Sequence, residues 1–471
     1  MTLYKLYCGG EFISSHIKHP VKNKYTGKIY ATTFLADKQI LDKAIRAAEK
    51  ARPLCKELSS QQKYLALKFI SEALEKNKDH LATVLSIESA KPLVYALAEI
   101  ERSVQTFLIA AEECKRLPKE YMSLDWTANG KGKEGLVNYF PAGIVAGISP
   151  FNFPMNLAVH KIAPAIAAGC PIILKPASST PLSTLELAKI IAKTELPKGA
   201  VSILPMDRKT GNLLVTDERI HVLSFTGSPA IGWELKKQSG KKKVVLELGG
   251  NAGVIISNIK NPDAIIKKCS IGAFSYSGQI CIHAQRFIIH EALFSEFVKR
   301  MKTEAKKLKA GNPLNKETNI SPMIDEENAK RVESWVNEAV NQGAELICGG
   351  KRKGNFYEAT ILTKAKKGMK VYDEEVFGPV ICIEKYSNTI EEAVKKLNDT
   401  RFGLQCGVFT DSVSELDYAF RHCEVGGVIH NEVPTLRFDQ MPYGGIKESG
   451  LGREGVKYAI LDMMETKVLV K

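Results

Sequence analysis

Three residues whose types together can form and break a thioester lie at intervals along this chain. Cys281, in Gly278-Gln279-Ile280-Cys281, is a candidate thiol nucleophile. Glu247, in Glu247-Leu248-Gly249-Gly250 and 34 residues earlier, is a carboxylate able to serve as its general base. Asn152 lies between two prolines in Ser149-Pro150-Phe151-Asn152-Phe153-Pro154, a setting that fixes an amide as a hydrogen-bond donor. By itself Cys281 is one of ten cysteines, and a buried free cysteine is commonly an inert core residue. The carboxylate and the amide are what single it out.

The elements that must position these groups follow from periodicity. The N-terminal third reads as helical, with apolar residues near helical spacing over 61–79 and 94–115. Strand-like runs then occur at 143–149, 171–175, 201–205, 221–225 and 244–248, with helices between them at 156–168, 181–194 and 229–238. Such alternation predicts a parallel sheet covered by helices on both faces. A second alternating block runs from about 253 to 430, with helices near 263–275, 291–308, 326–341 and 389–398.

Length and composition bound the rest. At 471 residues the chain predicts two or three domains, and 44% apolar with 25% charged residues is an ordinary soluble composition. No apolar run reaches the roughly 18–20 residues that span a bilayer. The nearest, 162–174, contains two prolines and a glycine. The N-terminal MTLYKLYCGGEF lacks a basic region followed by an apolar stretch, so no signal peptide is expected. The cysteines are scattered, with no C-x-x-C pair, so no metal site is expected and a reducing cytoplasm is the expected setting. The net charge of +14 gathers in lysine clusters at 241–243, 306–309, 364–370 and 395–396. They are not interleaved with aromatics and read as solvated surface rather than a nucleic-acid site, though their field can draw in anions.

The segments ISPFNFPMN (148–156), LKPAS (174–178), SFTGS (224–228), LELGGN (246–251), GQIC (278–281), EEVFGPV (374–380) and MPYGGIKESGLGREG (441–455) occur in one order and register that resembles the NAD(P)-dependent aldehyde dehydrogenase superfamily. The likeness runs from about residue 4 to the C-terminus, and the look is that of the lactaldehyde and phosphonoacetaldehyde subgroup. It implies an α/β aldehyde dehydrogenase-like fold. A Rossmann-type cofactor domain would take 1–116 and 138–247, and an α/β catalytic domain 248–440. A small β oligomerisation segment, 117–137 with 450–471, would pair subunits into a homodimer or homotetramer.

The resemblance also implies roles. Cys281 attacks the aldehyde carbon, Asn152 and the Cys281 backbone N–H hold the oxyanion, and Glu247 activates the water that hydrolyses the thioester. Gly249 and Gly250 are expected to leave room for Glu247 to swing. The cofactor is expected against Ser149, Phe151, Lys175, Ser178, Phe225, Gly227, Ser228, Glu375 and Phe377. A G-x-G-x-x-G match at 450–455 reads as a decoy, because it follows a glycine-rich loop rather than a strand. The better phosphate site is 225–232, where a strand ends, Ser228 can cap a helix and Pro229 suits its first position. Relatives that prefer NAD often carry a glutamate where this chain has Ser178. A carboxylate there would repel a 2′-phosphate by roughly 4 kcal/mol at 4 Å and an effective dielectric near 20. NADP is therefore the expected cofactor, with NAD as the alternative.

For the substrate, the 431–440 loop suggests a short polar or anionic aldehyde. Arg102 and Arg437 are candidate anion clamps and His160 and His283 candidate donors. Arg102 has an alternative in pairing with Glu99 or Glu101 on its own helix, and His283 in inert packing. Relatives acting on phosphorylated or phosphonate aldehydes place an arginine beside the nucleophile. Here Ile280 and Ile282 flank Cys281, which leaves lactaldehyde, succinate semialdehyde and similar compounds open. Two other readings stand beside acid formation. One is a coenzyme A-acylating enzyme on the same fold, disfavoured by the presence of Glu247. The other is a non-enzymatic basic binding protein, disfavoured by the intact set of three.

Overall fold

Two mainly parallel sheets carry the fold, and the computed structural model describes residues 2–257, 259 and 262–471. Across the first sheet the strands are Gly450–Leu451, Lys243–Glu247, Ile220–Thr226, Ile144–Ile148, Ile172–Lys175, Val201–Ile203, Leu6–Cys8 and Glu11–Ile13. The five from Lys243–Glu247 to Val201–Ile203 are parallel, and the edges are antiparallel. Ile144–Ile148 is almost wholly buried because helices cover both faces of the sheet, as its unbroken apolar run requires. The covering helices Asn156–Ala168, Leu182–Ile191 and Pro229–Gln238 stand where the sequence pattern puts them. One further helix, Arg208–Thr216, carries only a short apolar run, Leu213-Leu214-Val215; Asp207 caps it by accepting from the Thr210 N–H at 2.7 Å.

From Ile144–Ile148 the chain builds outward through Ile172–Lys175 and Val201–Ile203, then returns to the other side as Ile220–Thr226. The crevice between the C-terminal ends of Ile144–Ile148 and Ile220–Thr226 is a topological switch point, the place where open α/β sheets take their ligands.

The N-terminal third is helical only from Lys38 onward, in Lys38–Glu57, Ser60–Lys76, Lys78–Ser89 and Leu93–Glu113. Before that lie five strands of two to six residues, too short to leave a periodicity in the sequence.

The second sheet orders Glu345–Cys348, Thr360–Thr363, Val380–Tyr386, Ala284–His290, Ala252–Ile256, Gln405–Phe409 and Gly427–His430, parallel except at the first edge. Its helices include Pro262–Phe274, Glu291–Lys307, Glu326–Asn341 and Ile390–Asn398. A third sheet joins Glu120–Ser123, Glu134–Pro141 and Met464–Val470, all antiparallel. Gly450–Leu451 does not belong to it. That short strand pairs with Leu246 and Glu247 in the first sheet, so the start of the G-x-G-x-x-G run lies opposite the candidate base, and its last glycine, Gly455, precedes helix Val456–Asp462.

Candidate active site

Cys281 is delivered by a tight loop after helix Pro262–Phe274. Tyr276, Ser277 and Gly278 hold left-handed φ values of 48°, 51° and 69° in succession. Side chains seldom accept this conformation, and such strain clusters at functional sites. Gly278 is required for contact as well as conformation, since a Cβ there would lie 2.0 Å from the Gly378 carbonyl oxygen. The Asn152 amide reaches the same loop, Nδ2 donating to the Gln279 carbonyl at 3.0 Å. Beneath it lies a fully buried ion pair, Lys91 with Glu99. Glu99 Oε1 accepts from the N–H groups of Met155 and Asn156 at 3.0 and 3.1 Å, at the start of helix Asn156–Ala168. Lys91 Nζ sits over the rings of Phe153 and Tyr276, 3.5 and 4.6 Å from their centroids. The amide loop and the thiol loop thus share one support.

Burial pushes the Cys281 thiol up to about 11, opposed by the hydroxyl of Tyr443, which lies 3.1 Å from Sγ. Arg437 also favours the thiolate, whereas Glu375 and Glu247 disfavour it.

Glu247 ends its strand inside a buried charged network. Its Oε1 accepts from the Glu454 N–H at 3.3 Å, while Oε2 has no hydrogen-bond partner among the described residues. Glu454 is itself ion-paired to Lys161 and Arg437, at 3.1 Å each. Burial and the neighbouring charge of Glu454 raise Glu247 well above the usual carboxylate range. Burial would raise Glu454 too, but Lys161 and Arg437 outweigh it and hold Glu454 ionised. The surroundings thus move the two carboxyls in opposite directions, Glu247 up and Glu454 down.

The glycines after Glu247 have a different use from the one expected. A Cβ on Gly249 would lie 2.3 Å from Glu375 Oε2, and one on Gly250 would lie 2.5 Å from the Cys281 carbonyl oxygen. The space they leave is filled by Glu375 and by the thiol loop. Glu375 Oε1 accepts from the Gly250 N–H at 3.1 Å, and burial pushes its carboxyl up to about 7. Phe377, at a left-handed φ of 49°, meets Phe151 edge-to-face at 5.8 Å.

A cleft of about 810 Å³ opens at the switch point, lined in part by Ile148, Lys175, Ser178, Arg208, Lys209 and Phe225. It suits a nicotinamide dinucleotide. Gly227 lets the Phe225 ring fold close, where a Cβ would lie 2.6 Å from its Cζ. Ser228 occupies the cap position of helix Pro229–Gln238 but makes no cap hydrogen bond, so the first amides of that helix stay free for a pyrophosphate. Ser178 Oγ donates to the Met206 carbonyl at 3.1 Å, and the Ser149 hydroxyl is buried without a partner among the described residues. Burial lowers the Lys175 ammonium, partly offset by Asp207. Arg208 and Lys209, absent from the sequence reading, add two cations at this end.

Three of the four proposed substrate residues cluster around Asp439 and Glu454. Arg102 pairs with Asp439 at 2.6 Å, not with its helix neighbours: Glu99 is taken by Lys91 and Glu101 by Lys78. His160 Nε2 also meets Asp439 Oδ1, at 2.8 Å. Arg437 is buried, binds Glu454, and lays its guanidinium 3.7 Å from the Tyr443 ring centroid. His283 is apart from this group. It hydrogen-bonds the Ala273 carbonyl at 2.8 Å, and burial lowers its imidazole to about 4.

Tyr443, Glu454 and Lys161 escaped sequence reasoning. Two lie inside the segment 441–455 already singled out, and Lys161 is the one lysine of a wholly buried helix, a pattern that marks a buried ion pair.

Residues 12–469 match the aldehyde dehydrogenase family. This chain belongs to that family. Among its relatives, the 3-sulfolactaldehyde dehydrogenase of Priestia aryabhattai is 39% identical over 468 residues, covering 99% of this chain and 98% of the relative. The lactaldehyde dehydrogenase of Methanococcus aeolicus is 38% identical over 475 residues, covering 99% of each. Of solved aldehyde dehydrogenases, aldehyde dehydrogenase 21 of Physcomitrella patens, in complex with the reaction product succinate, superposes with a TM-score of 0.98. It is 45% identical and matched over 100% of this chain and 98% of its own. The glyceraldehyde-3-phosphate dehydrogenase GapN of Methanocaldococcus jannaschii, complexed with NADP, is 35% identical with a TM-score of 0.91, over 96% and 98%.

Proposed function

We propose that this aldehyde dehydrogenase oxidises a small polar or anionic aldehyde to its carboxylic acid, with NADP preferred over NAD. The observation that carries the reading is the convergence on the Cys281 loop of the Asn152 amide and of a carboxyl, Glu247, tuned by a buried ion-pair network. In this account Cys281 attacks as thiolate, its proton leaving to Glu247 or solvent. The Asn152 amide and the Cys281 N–H take the oxyanion of the thiohemiacetal. Lys175, the first amides of helix Pro229–Gln238 and Glu375 would hold the dinucleotide, whose nicotinamide would accept the hydride that leaves the thiohemiacetal carbon, turning it into the thioester. Glu247, deprotonated, then draws a proton from the water that adds to the Cys281 thioester, and the carbon–sulfur bond breaks to release acid.

Arg208 and Lys209 support NADP, since they line the same cleft as Ser178 and Lys175 and would attract a 2′-phosphate there. Arg102, His160 and Arg437 gather here, but Asp439 holds the first two and Glu454 the third, so an anionic substrate would compete with these carboxylates. Arg102 is the most available, with 28% of its side chain exposed against 5% for Arg437. The carboxylate product in the moss enzyme and the sulfonated aldehyde named for the Priestia relative favour the same chemistry.

The third sheet supports subunit pairing. Its outer strand leaves Val468, Leu469 and Val470 about half exposed, and Trp126 nearby is 88% exposed. The pairing strand begins at Met464, after the first-sheet strand Gly450–Leu451. Ten free cysteines support a reducing, cytoplasmic setting. Product analysis with and without coenzyme A tests the acid-forming reading, which requires free acid at the same rate in both.

A further inference from the structure

Among the described residues, the side chain within hydrogen-bond distance of the Cys281 sulfur is a phenol that no step above uses. Tyr443 is 3% exposed, and its hydroxyl lies 3.1 Å from Sγ. Its backbone is fixed by reciprocal hydrogen bonds with Glu454, at 2.9 and 2.5 Å. Its ring carries the Arg437 guanidinium at 3.7 Å, a cation that draws electron density from the phenol and makes it a better donor. The charged groups acting on the thiol are Glu375 and Glu247, which oppose its ionisation, and Arg437, which assists it from behind the ring.

Resting on the reading of Cys281 as nucleophile, we propose that Tyr443 is a catalytic residue whose O–H donates to the Cys281 sulfur, both as the thiolate attacks and as it departs. In attack the S–H proton goes to Glu247 or water and a sulfur–carbon bond forms. In hydrolysis the water oxygen bonds to carbon and the carbon–sulfur bond breaks, its electron pair returning to sulfur under the same O–H. Tyr443 keeps its own proton throughout. Burial, with the acidic neighbours, raises this phenol well above its ordinary value, consistent with a donor that never ionises. Phenylalanine would fill the same space and stack on the same guanidinium, so the hydroxyl itself is the functional addition.

The test is the pH profile of Cys281 alkylation by iodoacetamide, followed on the Cys281 peptide because Cys348 is also partly exposed. In Tyr443→Phe the midpoint moves upward by about one unit, the scale of one charge-assisted hydrogen bond. The alkylation rate and kcat/KM near neutral pH fall about tenfold, and kcat/KM recovers as pH rises. With 3-fluorotyrosine at position 443, a stronger donor, the midpoint moves down. An unmoved midpoint in either variant overturns the proposal. Undiminished turnover in Cys281→Ser would instead overturn the nucleophile assignment, an outcome the Tyr443 variants do not mimic.

Discussion

Asn152 and Cys281 come from different sheets, yet the Asn152 amide donates at 3.0 Å to the carbonyl of Gln279, two residues before the thiol. The amide proposed as oxyanion donor is therefore anchored to the backbone that carries the proposed nucleophile. One N–H is spent on that anchor and the other remains for substrate oxygen. Asn152→Ala should lower kcat by about 10²–10³, the usual cost of one oxyanion donor. Cofactor binding, followed by fluorescence titration, should hold within about twofold, because the amide contacts the thiol loop and not the cleft.

Glu247→Gln should separate the two half-reactions. Rapid mixing should show a stoichiometric burst of reduced cofactor followed by a steady rate lowered about 10²–10⁴-fold, the weight of a general base. Loss of the burst itself would place Glu247 in the first step instead.

The same carboxyl gives a stability prediction with a definite sign. Burial and Glu454 raise the folded-state pKa of Glu247 above its unfolded value, so its ionised form is disfavoured in the fold. Stability is thereby lost as pH rises from the unfolded pKa towards the folded one. Glu247→Gln, neutral throughout, should gain thermal stability relative to the parent as pH is raised from 5 to 8. Differential scanning at both values checks this, and a constant difference would contradict it.

Lys161→Met should break the network from beneath. Lys161 and Glu454 are both buried, and removing one partner leaves an unpaired charge, at a cost of about 3–5 kcal/mol. With Glu454 still ionised and less neutralised, Glu247 should hold its proton more tightly. The acidic limb of the hydrolytic pH profile should then move upward.

Much of this arrangement was legible in the sequence because strand-helix alternation and short motifs are local signals. The five parallel strands of the first sheet were readable that way, and Glu247 falls in the strand-like run expected over 244–248. Contacts between distant segments were not. Arg102 lies on a helix with two glutamates and pairs with neither, because Asp439, remote in sequence, folds against it. Gly249 and Gly250 suggest freedom in sequence, yet their space is occupied by Glu375 and the Cys281 carbonyl. The N-terminal strands, each too short for a period, gain their identity only by pairing, two at the edge of the first sheet and three in a small sheet of their own.

Arg208→Ala and Lys209→Ala should each raise the KM for NADP by about tenfold and leave that for NAD within about twofold, since about 1.4 kcal/mol of lost attraction is a factor of ten. Equal effects on both cofactors would assign these residues to the shared part of the dinucleotide.

The most direct test is reduced-cofactor formation by the purified protein with lactaldehyde, succinate semialdehyde, glyceraldehyde 3-phosphate and an uncharged aliphatic aldehyde. Each is measured with NADP and with NAD, for the parent and for Cys281→Ser. The account predicts turnover of the hydroxylated or anionic aldehydes, faster with NADP, and none above background in Cys281→Ser although it still binds cofactor. Turnover that survives in Cys281→Ser would contradict the thioester mechanism.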